Sequence, residues 1–579
     1  MTARPEHFDA IIVGSGFGGS VMCYRLAEAG LRVCLLERGK VYPPGSFPRS
    51  PREIRHGFWD PGRGLHGLFN IWSFRWLGGV VASGLGGGSL LYANVLIRKD
   101  EHTFVREDRT SGGYEYWPVT RQEMEAHYDQ VEAMMKAQRF PFEHEPYRST
   151  PKTQAMKQAA GRLGYEWFLP KLGVTFGNPG QRPVPGEPIL ESAPNLHGRT
   201  RLTCRMCGEC NLGCNYGSKN SLDYTYLSAA KRLGAELRPR CEVKAFRPDV
   251  GGGYAVEYVD YSGVTEGEPL PREPRRHLVT ADRLILAAGT FGTNQLLLRN
   301  RHSFPRLSRQ LGMRFSGNGD LLAFLLGSKN SDSGTSRPRV LDGGNGPVIT
   351  SAIRVRDALE GGDGRGFYIQ DAGHPELLNW MYESRNPLPM MLRSLKLAGR
   401  LAREWARTER RSDIGAHLAE ALGPCMDSAT SMALLGMGRD IPDGRLRLTR
   451  HGTLDLDWSP RGGSARYFRR LRGAMEEIAS ALEGELAHNP LGYLGQMVTV
   501  HPLGGCAMGR DKHEGVVDAH GEVFGYPGLY VADGSVMPGP VGPNPALTIA
   551  ALSDRFAERL LARRPIHPST REQPGAEAA

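Results

Sequence analysis

The stretch Phe8-Asp9-Ala10-Ile11-Ile12-Val13-Gly14-Ser15-Gly16-Phe17-Gly18-Gly19 decides the fold. Its apolar first half reads as a buried strand, and the glycines that follow read as a tight turn into a helix. Residues 20–29 place Val21, Met22, Leu26 and Ala27 along a helix; Gly30 stops it, and a second strand, 32–36, ends at Glu37. Each part has a physical task. Gly14 permits the turn, Gly16 lets the backbone approach a pyrophosphate, and Gly19 lets helix and strand pack closely. The helix amino terminus offers unpaired N–H donors to phosphate. Glu37, about twenty residues on, is placed to accept a hydrogen bond from a ribose hydroxyl. The order of these parts predicts an adenine dinucleotide site in an α/β, Rossmann-like domain.

Three later segments favour FAD over NAD. Gly84-Leu85-Gly86-Gly87-Gly88-Ser89-Leu90-Leu91-Tyr92-Ala93-Asn94 is a second glycine-rich loop, able to wrap a second part of an extended cofactor. Arg283-Leu284-Ile285-Leu286-Ala287-Ala288-Gly289-Thr290 reads as a strand, a small-residue turn and a helix start. Leu529-Tyr530-Val531-Ala532-Asp533-Gly534-Ser535 reads as a strand with an acid at its end, and Pro543-Asn544-Pro545-Ala546-Leu547-Thr548-Ile549 opens a last helix.

With His501-Pro502-Leu503-Gly504-Gly505-Cys506, these motifs resemble the glucose-methanol-choline (GMC) oxidoreductase family, its cholesterol-oxidase-like branch in particular. The resemblance covers the flavin-binding portions well and the middle of the chain poorly. It implies that Gly14, Gly16, Gly19 and Glu37 hold the ADP half of FAD, and that Val243, in the strand-like 241–246, packs near the adenine. Gly87, Gly88 and Tyr92 would lie along the pyrophosphate and isoalloxazine, with Gly289 in the small-residue turn. Asp533 and Gly534 would touch the ribityl-pyrophosphate, and Asn544 with Pro545 would sit beside the flavin ring. The implied fold is α/β: a Rossmann-like FAD-binding domain, discontinuous in sequence (1–130, 200–320 and 494–562), with an α+β substrate domain built on an antiparallel sheet (131–199 and 321–493). Residues 563–579 read as a flexible tail.

Alcohol oxidation moves a hydride to flavin N5 while the hydroxyl proton leaves, so a nearby group must take that proton. His501, opening a glycine-rich turn, is the candidate among 17 histidines, and the resemblance gives it the same place. Its bland alternative is a satisfied core histidine. Asn544 is the natural partner, orienting the hydroxyl or meeting the reduced flavin; Asn before Pro-Ala-Leu is equally a helix cap. Cholesterol oxidases carry a substrate-domain glutamate that helps remove protons during double-bond isomerisation. The region expected to supply it, Pro424-Cys425-Met426-Asp427-Ser428-Ala429-Thr430, has no Glu, so a coupled isomerase activity is not expected.

Four of nine cysteines, Cys204, Cys207, Cys210 and Cys214, have the spacing of a bacterial ferredoxin run, with Asn215 in place of the usual Pro. Three readings stand: an iron–sulfur cluster, a zinc site, or reduced thiols shaping a loop. A cluster beside flavin would pass single electrons to an outside acceptor and make the enzyme a dehydrogenase rather than an oxidase using oxygen. A rival to alcohol oxidation follows from the same run: a flavin and iron–sulfur electron-transfer protein.

The 579 residues carry 72 Lys and Arg and a net charge of +10, but no helix-turn-helix, RNA-binding or zinc-finger pattern, so nucleic acid is set aside as a partner. No run of about 18 apolar residues suggests a membrane span. The first strand begins too early for a secretory leader, and the default expectation is a cytoplasmic protein. On a helical wheel, 388–407 sets Leu388, Met391, Leu395 and Trp405 opposite Arg393, Lys396, Arg400 and Arg403. Such a basic amphipathic helix suits packing on its own domain or peripheral membrane contact. With the aromatic stretch 65–77 before the flavin loop, it favours a large apolar alcohol, a sterol or long-chain alcohol, as substrate.

Overall fold

A computed structural model describes residues 5–108, 113–268, 274–332, 335–375, 428–488 and 496–563. The opening stretch folds as its pattern dictates. The strand Glu6–Val13 buries Ala10, Ile11 and Ile12 completely, and the helix Phe17–Glu28 follows at once. Parallel pairing joins this strand to Val33–Leu36 on one side and to Arg276–Leu286 on the other. Near-continuous apolar sequence is what a parallel strand covered on both faces requires.

Six strands of the seven-stranded sheet run in the order Glu236–Arg238, Val33–Leu36, Glu6–Val13, Arg276–Leu286, Tyr254–Asp260, Cys241–Pro248. Arg276–Leu286 is long enough to serve two neighbours. Its first half pairs antiparallel with Tyr254–Asp260, and its end pairs parallel with Leu529–Val531. The two strand ends Leu286 and Val531 thus lie side by side, which gathers the motifs that follow them. Behind the sheet, Phe17–Glu28 packs against the last helix, Ala546–Ala562. A Cβ on Gly18 would stand 1.7 Å from Ala532 O, so only glycine allows that approach.

The second large sheet is antiparallel throughout: Glu166–Phe168, Ile349–Val355, Phe367–Ala372, Met432–Gly438, Leu321–Leu326, Glu485–His488. Alternation of side chains gives it two different faces. Leu321, Ala323, Leu325, Met432 and Leu434 pack in a core with Leu471, Met475 and Ile478 of the helix Ala465–Ala481. Each fully buried side chain of that kind contributes roughly 1.5–3 kcal/mol. Leu322, Phe324, Leu326, Ala433 and Leu435 point the other way, into a cavity shared with the first sheet. The aromatic stretch 65–77 forms part of a hairpin, Phe69–Ser73 with Leu77–Ala82, whose Phe69 and Trp72 reach the same cavity. Residues 388–407, and Asp427 with its upstream neighbours, lie outside the described residues.

Candidate active site

The glycine loop is set by its own backbone demands. Gly14 has φ +100°, a left-handed value, and a Cβ there would meet Ala287 O at 2.4 Å. Gly19 would drive a Cβ to 2.0 Å from Gly14 O, so it serves helix–strand packing and does not line the cavity. Gly16 differs. It lines the cavity, and a Cβ there would meet nothing within 4 Å. Gly88 and Gly289 behave in the same way. These positions keep bulk out of a space that the protein itself leaves open, which is the cradle a dinucleotide needs.

Glu37, buried, accepts from Ser15 N at 3.0 Å and Ser15 Oγ at 2.7 Å on one oxygen, and from Gly39 N at 2.8 Å on the other. It first braces the loop; a carboxylate has lone pairs enough for one more donor. Ser15, unremarked in the sequence, also accepts from Gly86 N at 2.9 Å and so ties the two glycine loops together. Gly87, with φ +53°, sits so close that its Cβ would fall 2.6 Å from the Gly16 Cα. Tyr92 lines the cavity beside Phe17, ring centres 5.4 Å apart. Asn94, fully buried between cavity-lining Ala93 and Val95, has no partner for its side-chain amide among the described residues. Such an amide is costly unless a bound group satisfies it.

Val243, in the strand Cys241–Pro248, is buried and lines the cavity. At the far end, Asp533 accepts from Ser535 N at 2.8 Å and from Thr293 Oγ1 at 2.5 Å, and burial raises its pKa above the ordinary carboxylate value. Gly534, Asn544 and Pro545 line the same cavity, which totals about 870 Å³. FAD fits these residues: glycines with open space, a buried unpaired amide, and acids at the ends of strands.

His501 lies on the wall of this cavity, its side chain 14% exposed. Its Nδ1 is 2.8 Å from Asp320 Oδ1, and Asp320 Oδ2 accepts from Val500 N and Thr499 Oγ1, each at 2.9 Å. An acceptor at Nδ1 places the ring proton there and leaves Nε2 as the basic nitrogen. Asn544 exchanges two hydrogen bonds with Gln370, which is fully buried on the antiparallel sheet. Sequence reasoning missed both Asp320 and Gln370, and sought the polar group of that sheet around Asp427 instead. Gln370 stands opposite Leu435, which stands opposite Leu322. It is the polar member of an apolar row, and its amide has no proton to release or accept at neutral pH.

The cysteine run does not behave as a metal centre. Cys204, Cys207, Cys210 and Cys214 border a small separate void, yet among the described residues no three His, Cys, Asp or Glu side chains are arranged to hold a metal ion. The expected iron–sulfur cluster is not supported, and neither is zinc. Backbone pairing shapes the loop instead. Cys207 bridges to Gly346, Asn215 exchanges hydrogen bonds with the Phe47 backbone, and Lys219 Nζ donates to Cys210 O at 3.1 Å. Burial raises the Cys204 thiol well above its usual value and Cys207 to about 12. The same Lys219 donates to Leu90 O at 3.0 Å and Tyr92 O at 2.9 Å, so the loop is fastened to the second glycine motif.

Comparison with known proteins agrees with this geometry. Models of the GMC oxidoreductase family match residues 196–303 and 479–553, and a model of NAD(P)-binding Rossmann-like domains matches 12–46. A cholesterol oxidase of Mycobacterium tuberculosis is 30% identical, over 96% of this chain and 91% of its own. A long-chain-alcohol oxidase of Arabidopsis thaliana is 24% identical over 96% of this chain and 67% of its own. The crystal structure of pyridoxine 4-oxidase from Mesorbium loti shares the fold with a TM-score of 0.56 at 17% identity, covering 96% of this chain and 99% of that one. With full-length similarity added to the two joined sheets and the cradle between them, the chain belongs to the GMC oxidoreductase family and is an FAD-dependent enzyme of alcohol oxidation.

Proposed function

We propose that the protein oxidises the CH–OH group of a large apolar alcohol, a sterol or a long-chain alcohol, with His501 accepting the hydroxyl proton. The observation that carries this reading is the composition of the cavity wall. A row of Ile349, Ala372, Ala433, Phe324 and Ala487 crosses five strands, each residue opposite the next, and all five line the cavity. Alanines at three of the five positions leave width, and nothing in the row offers a hydrogen bond to a sugar. His501 and Asn544 line that same cavity. A few polar groups converging in an apolar chamber fit an alcohol whose single hydroxyl is the point of attack.

FAD, when bound, supplies the hydride acceptor. His501 Nε2 takes the proton, Asp320 holds the resulting cation, and Asn544, steadied by Gln370, orients the hydroxyl. The cofactor unit is assigned to 1–130, 200–320 and 494–562, and the chamber sheet to the substrate unit. Oxygen or an external acceptor completes the cycle. The names of the two relatives, a cholesterol oxidase and a long-chain-alcohol oxidase, support the apolar class.

Anaerobic mixing of the flavin-loaded protein with a 3β-hydroxysteroid or dodecan-1-ol should bleach the flavin absorption. His501→Ala should slow that step by roughly 10²–10⁴-fold. Bleaching by glucose or choline but by neither apolar alcohol would overturn the substrate class.

A further inference from the structure

We propose that the turn 316–320, Ser316-Gly317-Asn318-Gly319-Asp320, is the positioning element of the active site and fixes His501 and Asn544 relative to one another. The turn joins the strand Met313–Ser316 to the strand Leu321–Leu326. Two of its side chains reach the segments that carry the two catalytic candidates. At one end Asp320 holds the His501 ring at 2.8 Å and the backbone N–H groups of Val500 and His501 at 2.9 and 3.2 Å. At its middle Asn318 grips the segment that leads into Asn544. Its Oδ1 accepts from Val541 N at 2.9 Å and Gly542 N at 3.0 Å, and its Nδ2 donates to Pro543 O at 3.0 Å.

The turn is itself held at several points. Asn318 and Gly319 are both left-handed, with φ +54° and +65°, and Asn318 is fully buried. Ser316 Oγ donates to the buried carboxylate of Asp440 at 2.5 Å and accepts from Asn318 N at 2.9 Å. Tyr467 Oη donates to Gly319 O at 3.0 Å, and a Cβ on Gly319 would strike that hydroxyl. Lys99 supports the far side of the Asn544 segment, its buried Nζ donating to Pro540 O at 2.9 Å and Val541 O at 3.1 Å.

Two groups that must meet one hydroxyl need a fixed separation, since small misplacements of reacting groups are expensive in rate. His501 and Asn544 come from different segments, and one five-residue turn bonds His501 and the backbone just before Asn544. Asp320 has a second task. As an acceptor it selects the ring tautomer with the proton on Nδ1, which leaves Nε2 open to take up the hydroxyl proton.

This inference rests on His501 as base, so the test measures both. Flavin reduction by dodecan-1-ol and by a 3β-hydroxysteroid is followed by stopped flow in the flavin-loaded full chain. Asp320→Asn is expected to lower the limiting rate by roughly 10²-fold with little change in half-saturating alcohol. An amide turned toward Nδ1 selects the wrong tautomer, so the loss falls on the limiting rate and not on half-saturation, a split that a merely structural change would not produce. In a His501→Ala background Asp320→Asn should add nothing, and Asn318→Asp should add nothing to Asn544→Ala. Should Asp320→Asn fail to retain flavin, Thr499→Val removes one donor to the carboxylate and should give a smaller fall. A slow His501→Ala beside an unchanged Asp320→Asn or Thr499→Val overturns the positioning role alone. Multiplicative losses in the double variants overturn it too. An unchanged His501→Ala overturns the base reading and this proposal with it.

Discussion

Gln370 and Asn544 hold each other amide to amide. Gln370 Nε2 donates to Asn544 Oδ1 at 2.6 Å, and Asn544 Nδ2 returns a longer bond of 3.4 Å. Both are buried, and among the described residues each side-chain amide is paired with the other. Gln370→Leu keeps the size and removes the partner. It should cost about 1–3 kcal/mol of stability, read from urea unfolding, and slow flavin reduction by the preferred alcohol. A variant with wild-type stability and rate would show that Asn544 finds its orientation elsewhere.

Gly16 and Gly19 separate cofactor binding from folding. Gly16→Val fills open cavity and should abolish flavin retention while leaving the melting of the apoprotein unchanged. Gly19→Ala forces a methyl against Gly14 O and should destabilise the apoprotein by about 1–3 kcal/mol. Flavin titration and thermal melts of the two apoproteins distinguish the outcomes; equal behaviour would contradict the division.

Lys219 is the buried link between the cysteine loop and the flavin loop, donating to three carbonyls. Lys219→Met leaves those acceptors bare and should release flavin more readily, with a loss of roughly 1–3 kcal/mol or more in stability. Dialysis against a strong iron chelator should leave flavin reduction untouched. Loss of activity on chelation would restore a metal role for the cysteines.

Asp440 reports on pH. Burial raises its carboxyl to about 7 in the folded protein, far above the value near 4 expected when unfolded. Between those values the folded state holds a proton that the unfolded state has lost, so stability falls as pH rises through that window. Asp440→Asn should remove the decline and gain on wild type by about 2–4 kcal/mol between pH 4 and pH 8. Parallel stability curves for the two proteins would refute the assignment.

Ala433 sits at the middle of the chamber row, opposite both Phe324 and Ala372. Ala433→Phe narrows the chamber at the middle of that row. Turnover of a 3β-hydroxysteroid should drop sharply while dodecan-1-ol, a slender chain, is spared. Equal loss of both would place the substrate elsewhere.

What the sequence by itself determined is the dinucleotide half of the protein. Gly14, Gly16, Gly19 and Glu37 lie within one strand–turn–helix–strand unit, and the demands on them are local: a left-handed turn, a close packing, an acid at a strand end. The same holds for the second loop around Gly87 and Gly88 and for the segments at Gly289, Asp533 and Asn544, each readable as strand then turn. His501 was legible as the candidate proton acceptor, but its partner was not. Its proton is placed by Asp320, 181 residues away, just as Asn544 is placed by Gln370 across 174 residues. The cysteine spacing was legible too, yet spacing fixes only which thiols are neighbours along the chain, and Lys219, Asn215 and Gly346 decide how that loop is held. Partners so distant in sequence leave no periodic or local signal. They meet only because the folded chain brings the turn 316–320 and the strand Phe367–Ala372 against the segments around His501 and Asn544.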